Sequence, residues 1–89
     1  MTSTNTYTAQ FTCRDPETRL PVAYRLTLTT KPELVVRPAD VLEEIERLTN
    51  RPAYIEDLAD KFRTRFPGQH VLKCSVHGVE VVTTRMGAA

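Results

Sequence analysis

The chain has 89 residues, a formal net charge of +1 and 26% charged residues, which is the size and charge of one small domain. This balanced charge argues against a nucleic-acid-binding module, because such modules normally carry a basic excess. A chain of this length buries only about 60–65% of its unfolded surface, so its core is small. Association of several copies would supplement that core, and we expect a homo-oligomer.

The sequence lacks the patterns of zinc-binding, secreted and membrane-spanning proteins. Cys13 and Cys74 are far apart, and neither they nor His70 and His77 have the spacing of a zinc site, so no metal site is predicted. The N-terminal residues lack the basic and apolar stretches of a signal peptide. No apolar run reaches the roughly 18–20 residues of a membrane span. We therefore expect a cytoplasmic protein with reduced thiols and no membrane contact.

The N-terminal third of the sequence predicts a β-hairpin. Apolar and polar residues alternate over Tyr7–Cys13 and again over Val22–Thr29, as they do in half-buried strands. The polar segment Arg14–Arg19 between them contains Asp-Pro, which is typical of a turn. Three residues of the following connection are expected to be buried: Leu34, Val35 and Val36.

Two helices are predicted after this hairpin. The first begins at Pro38, because proline fits the first helical turn. Its buried face is predicted to contain Val41, Leu42, Ile45 and Leu48. The second occupies Asn50–Gly68, with Asn50 as its N-cap, Pro52 in its first turn and Pro67-Gly68 as its end. Its apolar residues follow a 3.6-residue period: Ile55, Leu58, Ala59, Phe62 and Phe66.

The C-terminal residues predict a second hairpin, formed by His70–Val76 and Val79–Arg85 around a two-residue turn at His77-Gly78. One face of this hairpin would carry Leu72, Cys74, Val76, Val79, Val81 and Thr83. The predicted fold class is therefore α+β, a single domain over residues 7–86 with the order β-β-α-α-β-β. Two helices would cover one face of a four-stranded antiparallel sheet, and polar side chains would line the other. Residues 1–6 and 87–89 are predicted to be flexible.

Glu56, in the first turn of the second helix, is the main candidate for ligand binding. A carboxylate accepts two parallel hydrogen bonds from adjacent ring N–H and NH₂ groups, and a helix N-terminus favours its charged form. The alternative is an ordinary first-turn acid, since Glu and Asp are common there for the same electrostatic reason. Tyr54 is either a stacking surface for a flat ring or part of the core. His77 is expected to be exposed in its turn.

Cys13 is the candidate nucleophile. It ends a strand beside Arg14 and near Arg19, and these guanidinium groups would lower the pKa of its thiol. The alternative is a small buried hydrophobic residue on the same face as Phe11. Cys74 is predicted to lie in the core.

Three segments resemble members of the tunnelling-fold superfamily, the T-fold. Tyr54–Ala59 is similar to the helix start where these proteins place a glutamate that binds purine or pterin rings, as in dihydroneopterin aldolase. Phe11–Ala23 resembles the segment of 7-cyano-7-deazaguanine reductase in which a nucleophilic cysteine precedes a loop and the second strand. His77–Val81 is similar to the last hairpin turn of that reductase. The β-β-α-α-β-β order is also that of the superfamily.

The resemblance implies a protein that binds a purine-type or pterin-type heterocycle between subunits, and a possible relationship to enzymes that process 7-deazaguanine nitriles. It implies that Glu56 is the ring anchor, that Tyr54 and His77 bind the ligand, and that Cys13 is the nucleophile. The reductase has a general-acid aspartate after the loop proline, whereas Val22 follows Pro21 here. The resemblance therefore supports binding more than catalysis, and it predicts no particular cofactor. The alternative hypothesis is a non-enzymatic adaptor or inhibitor that binds another protein.

Overall fold

Four antiparallel strands form one sheet in the order β1-β2-β3-β4, in a computed structural model that describes residues 3–87. The strands are β1 (Asn5–Arg14), β2 (Pro21–Thr30), β3 (Gln69–Val76) and β4 (Val79–Met86). Two helices, α1 (Pro38–Leu48) and α2 (Ile55–Arg65), lie between β2 and β3 in the chain. The predicted α+β class and the element order are confirmed. No helix within the described residues is long and apolar enough to cross a membrane.

Both predicted hairpins are present, and the second has the predicted register. Cys13 pairs with Val22 in the first, and Cys74 pairs with Val81 in the second. The second hairpin turns at His77 and Gly78, which have φ values of 52° and 79°. Two consecutive positive φ values are typical of the tight turn whose twist matches that of the strands.

The core lies between the sheet and the two helices, and α2 contributes most of the helical residues in it. All five residues of the predicted α2 stripe are buried: Ile55, Leu58, Ala59, Phe62 and Phe66. The Phe62 ring centroid lies 5.7 Å from that of Phe11, which stacks on Tyr24 at 5.4 Å. The apolar face of β2 is buried beneath them, because alternate residues of a strand point to the same side of the sheet.

Two predictions of burial are wrong. Leu42 is 56% exposed, and the buried face of α1 instead contains Glu44 together with Val41, Ile45 and Leu48. Glu44 can occupy this face because the guanidinium of Arg65 lies 3.7 Å from its carboxylate. Val35 is 75% exposed, and only the following residue of that connection, Val36, is fully buried.

The predicted start of α2 is also wrong. The helix begins at Ile55, and its N-cap is Tyr54, which makes no side-chain capping bond. Asn50 has a φ of 64°, and its N–H donates to the carbonyl of Thr12. Pro52 bridges Arg14 in parallel orientation. The segment before α2 therefore pairs with the end of β1, and this pairing replaces the predicted first helical turn.

The ends of the domain differ slightly from the prediction. β1 begins at Asn5, two residues before the expected start, and its first residues come from the segment that was expected to be flexible. At the other end, the N–H of Gly87 donates to the carbonyl of Gly68 at 2.8 Å. The remaining parts of the predicted tails, residues 1–2 and 88–89, lie outside the described residues.

Candidate functional site

A cleft of about 270 Å³ lies between the start of α2, the β1–β2 loop and the β3–β4 turn. It is lined by Asp15, Glu17, Val22, Tyr24, Ala53, Tyr54, Ile55, Glu56, Cys74, Val76, His77 and Val81. The three residues that the sequence predicts as ligand-binding, Tyr54, Glu56 and His77, are all among them. The fold thus brings together residues from two distant parts of the chain.

Glu56 is exposed at the wall of this cleft, in the first turn of α2. No cation within residues 3–87 forms an ion pair with it. The N-terminal amides of the helix carry a partial positive charge, which attracts a carboxylate at this position. Its carboxylate is therefore free to accept hydrogen bonds from a ligand.

Tyr54 and His77 contribute an aromatic surface and a polar ring. Tyr54 is 49% exposed at the N-cap of α2, where its backbone is extended. This exposure favours a surface that a ligand can contact over the alternative of core packing. His77 is exposed in the β3–β4 turn, as predicted. Its positive φ allows the tight turn that places its side chain at the cleft.

Tyr24 and Cys74 form the floor of the cleft, and the sequence analysis did not assign either to the site. They face each other across β2 and β3 and are both buried. Burial raises the pKa of Tyr24 above its usual range, and burial with the nearby charge of Glu56 raises the pKa of Cys74. Both groups are therefore neutral at pH 7. Only the pairing of β2 with β3, which joins distant segments, reveals their position.

The cleft is acidic. Asp15, Glu17 and Glu56 line it, and no lysine or arginine does. The carboxylate of Asp15 is less available to a ligand, because its Oδ1 already accepts a hydrogen bond from the backbone N–H of Glu17 at 2.7 Å. In the described part of the chain, no three metal-ligating side chains come close enough to hold a metal ion. The arrangement suits an organic ligand that presents N–H donors or a positive charge.

Cys13 lies away from this cleft. Its side chain is fully buried, and its thiol donates to the carbonyl of Leu48 with a sulfur–oxygen distance of 3.1 Å. Burial raises the pKa of Cys13 to about 11, so the expected lowering by neighbouring guanidinium groups is wrong. Arg14 instead donates to the carbonyl of Arg19. An enclosed, protonated thiol is a poor nucleophile, and the buried-hydrophobe interpretation is favoured.

Comparisons of the chain with protein-family models, curated proteins and solved structures found no match. The resemblance to the T-fold therefore stays a prediction, although the element order agrees with it. The cleft contains an exposed carboxylate, an exposed tyrosine and an exposed histidine, together with the buried and neutral Tyr24 and Cys74.

Proposed function

We propose that this protein binds a flat, nitrogen-rich heterocycle of the purine or pterin class in the cleft at the start of α2. The observation that carries the proposal is the convergence of Tyr54, Glu56 and His77 on one acidic cleft. The ligand's ring N–H and NH₂ groups would donate to Glu56, and its flat face would lie against Tyr54. His77 would contact a polar edge of the ring.

The size and charge of the cleft support this class of ligand. At about 270 Å³ it is slightly smaller than the roughly 300–1,000 Å³ of sites for drug-sized molecules, so one or two fused rings suit it. A carboxylate accepts bidentate hydrogen bonds from adjacent N–H donors, and such charge-assisted bonds are roughly twice as strong as neutral ones. The proposal concerns binding and assigns no reaction, because Cys13 is enclosed and lies outside the cleft.

The proposal includes assembly of several copies around the site. The cleft is open to solvent on one side, and the outer edges of β1 and β4 pair with no other strand among residues 3–87. Three apolar side chains of β4 are exposed: Val79, Val82 and Met86. A neighbouring copy that paired with such an edge would bury these side chains and protect the edge from uncontrolled pairing.

Thermal unfolding in the presence of guanine and pterin tests the proposed binding. Both compounds should raise the melting temperature of the native protein, and Glu56→Gln should abolish the rise, because a neutral amide cannot accept from both ring donors. Asp57→Asn is the matched control, since Asp57 lies in the same helical turn but does not line the cleft.

Adenine provides a matched ligand control, because it lacks the adjacent N–H and NH₂ donors that a carboxylate recognises. We expect it to have little effect on the melting temperature. The absence of a shift with guanine and with pterin would refute the proposal, and so would an equal shift in Glu56→Gln.

One observation favours the alternative of a protein-binding adaptor. An apolar groove of about 260 Å³ lies between β1 and α1, where Leu42 is exposed, beside the unpaired edge of β1. An extended segment of another protein could pair with that edge and place a side chain in the groove. Native mass spectrometry of the purified protein separates the two functions: a homo-oligomer with a bound small molecule favours the first, and a ligand-free monomer favours the second.

A further inference from the structure

The uncovered face of the sheet carries two cations directly opposite each other. Arg25 on β2 pairs in register with Lys73 on β3, and both side chains are exposed. Directly opposite residues of an antiparallel pair have Cβ atoms about 4.5–5.5 Å apart, and like charges at such positions are destabilising. The pair therefore costs stability unless something of opposite charge lies beside it.

No acidic residue among residues 3–87 forms an ion pair with either cation. The ion pairs of residues 3–87 involve Arg47, Arg63, Arg65 and Arg85, and neither Arg25 nor Lys73 takes part in one. Glu80 is the acidic residue closest in register, opposite Ser75 and thus diagonal to Lys73, and it lines the same depression at its edge strand. It is not within ion-pair distance of either cation. The positive charge of the pair is left to solvent or to a ligand.

A depression of about 540 Å³ lies at this pair, and both cations line it. Its hollow has a structural cause, because Ala23 lies two residues from Arg25 on the same face and projects only a methyl group. Hydrogen-bonding groups surround the hollow: the Gln10 amide, opposite Arg25, and the hydroxyl groups of Thr12 and Ser75. The depression is lined by two cations, whereas the cleft at the start of α2 is lined by none among residues 3–87.

We propose that this depression is a binding site for a phosphate group, either the free ion or the phosphomonoester of a small molecule. The guanidinium of Arg25 donates to two phosphate oxygens, and the ammonium of Lys73 supplies a second positive charge to a dianion. Both residues lie on central strands, so the sheet fixes the positions of their backbones. The bound anion removes the repulsion between them. Tyr24 and Cys74 line both depressions, but Arg25 and Lys73, which would bind the phosphate group, line only this one.

Titration of ¹⁵N-labelled protein with sodium phosphate tests this site, with sodium chloride adjusted to keep pH and ionic strength constant. We expect saturable changes of amide chemical shifts around Arg25 and Lys73. Arg25→Gln and Lys73→Gln should each weaken binding by about tenfold or more, since each removes charged hydrogen bonds. Lys61→Gln is the control, because Lys61 is an exposed cation on α2, and it should leave the affinity unchanged.

A third variant, Ala23→Leu, fills the hollow without changing any charge. Because Ala23 is exposed, the substitution should leave the fold intact, and we expect it to weaken phosphate binding as well. A parallel titration with ribose 5-phosphate separates the two sources of the group: tighter binding than that of phosphate assigns the site to a phosphomonoester, and equal binding assigns it to the free ion.

Melting temperatures give a second readout that does not require the ligand. At low salt in chloride, Arg25→Gln and Lys73→Gln should be at least as stable as the native protein, because each removes a repulsion. Phosphate should then stabilise the native protein more than either variant. Shifts that do not saturate, or equal stabilisation of all variants by phosphate, would show a general salt effect and overturn the proposal.

Discussion

His70 is the residue with the clearest consequence for stability. Its side chain is 1% exposed, and no group within residues 3–87 meets either ring nitrogen with full hydrogen-bond geometry. Burial lowers the pKa of His70, although the backbone of Gly68, Arg85 and Phe62 partly opposes this effect. The folded protein therefore favours a neutral imidazole, and no carboxylate within residues 3–87 forms an ion pair with it.

We predict that stability falls as the pH drops below about 6.5, the ordinary pKa of histidine in the unfolded chain. Below that value the unfolded state binds a proton that the native state does not, so stability is full above it and declines towards the lowered native pKa. The slope contributed by one proton is at most about 1.4 kcal/mol per pH unit. Urea unfolding at pH 7.5, 6.5 and 5.5 measures it.

His70→Leu is the variant that isolates this effect, because leucine is apolar and does not titrate. Its overall stability can differ from that of the native protein, but the loss of stability between pH 7.5 and 5.5 should be smaller. If both proteins lost the same free energy of unfolding over that range, His70 would not be the group responsible.

The helix and strand patterns were predictable from the sequence where burial is periodic and local. The stripe of α2 and the alternation of β2 were predictable, because one face of each element packs on the core. The start of α2 was not predictable, because Asn50 and Pro52 pair with β1. Pro52 and its partner Arg14 are thirty-eight residues apart in the chain. Glu44 was not assigned to the buried face for a similar reason, since its partner Arg65 lies on the other helix.

The same distinction applies to the candidate site. Glu56 was identifiable as a first-turn acid, and Tyr54 and His77 lie beside local signals, a helix start and a tight turn. The floor of the cleft was not predictable, because Tyr24 and Cys74 meet only when β2 pairs with β3. Local patterns thus indicate which residues are available, and long-range pairing decides which of them meet.

The contribution of α2 to the core can be measured with one substitution. Phe62 is fully buried and packs against Phe11, so Phe62→Ala should lower the free energy of unfolding by about 3–5 kcal/mol. Val35→Ala is the control, because Val35 is 75% exposed and should cost less than about 0.5 kcal/mol. Urea unfolding followed by circular dichroism gives both values. A similar cost at the two positions would contradict the assignment of the core to the α2 side of the sheet.

At the scale of the whole molecule, the outer edges of β1 and β4 carry backbone N–H and C=O groups that pair with no neighbouring strand among residues 3–87. The N–H of Arg14 donates to Arg51, and its carbonyl accepts from Ala53, so even-numbered residues of β1 direct their backbone groups away from β2. Only the end of this edge is covered, by the segment before α2. The backbone groups of Thr6, Thr8 and Gln10 therefore face outward and are available to a further strand.

Thr8→Pro tests whether copies assemble through this edge. Proline at this position removes an outward N–H and no hydrogen bond of the sheet itself, and proline is tolerated on edge strands for that reason. We expect native mass spectrometry to show an oligomer for the native protein and a monomer for Thr8→Pro, with similar circular dichroism spectra. Thr8→Ala keeps the N–H and should remain oligomeric. A monomeric native protein would leave the edge of β1 to a different partner, and an oligomeric Thr8→Pro would place the contact on another surface.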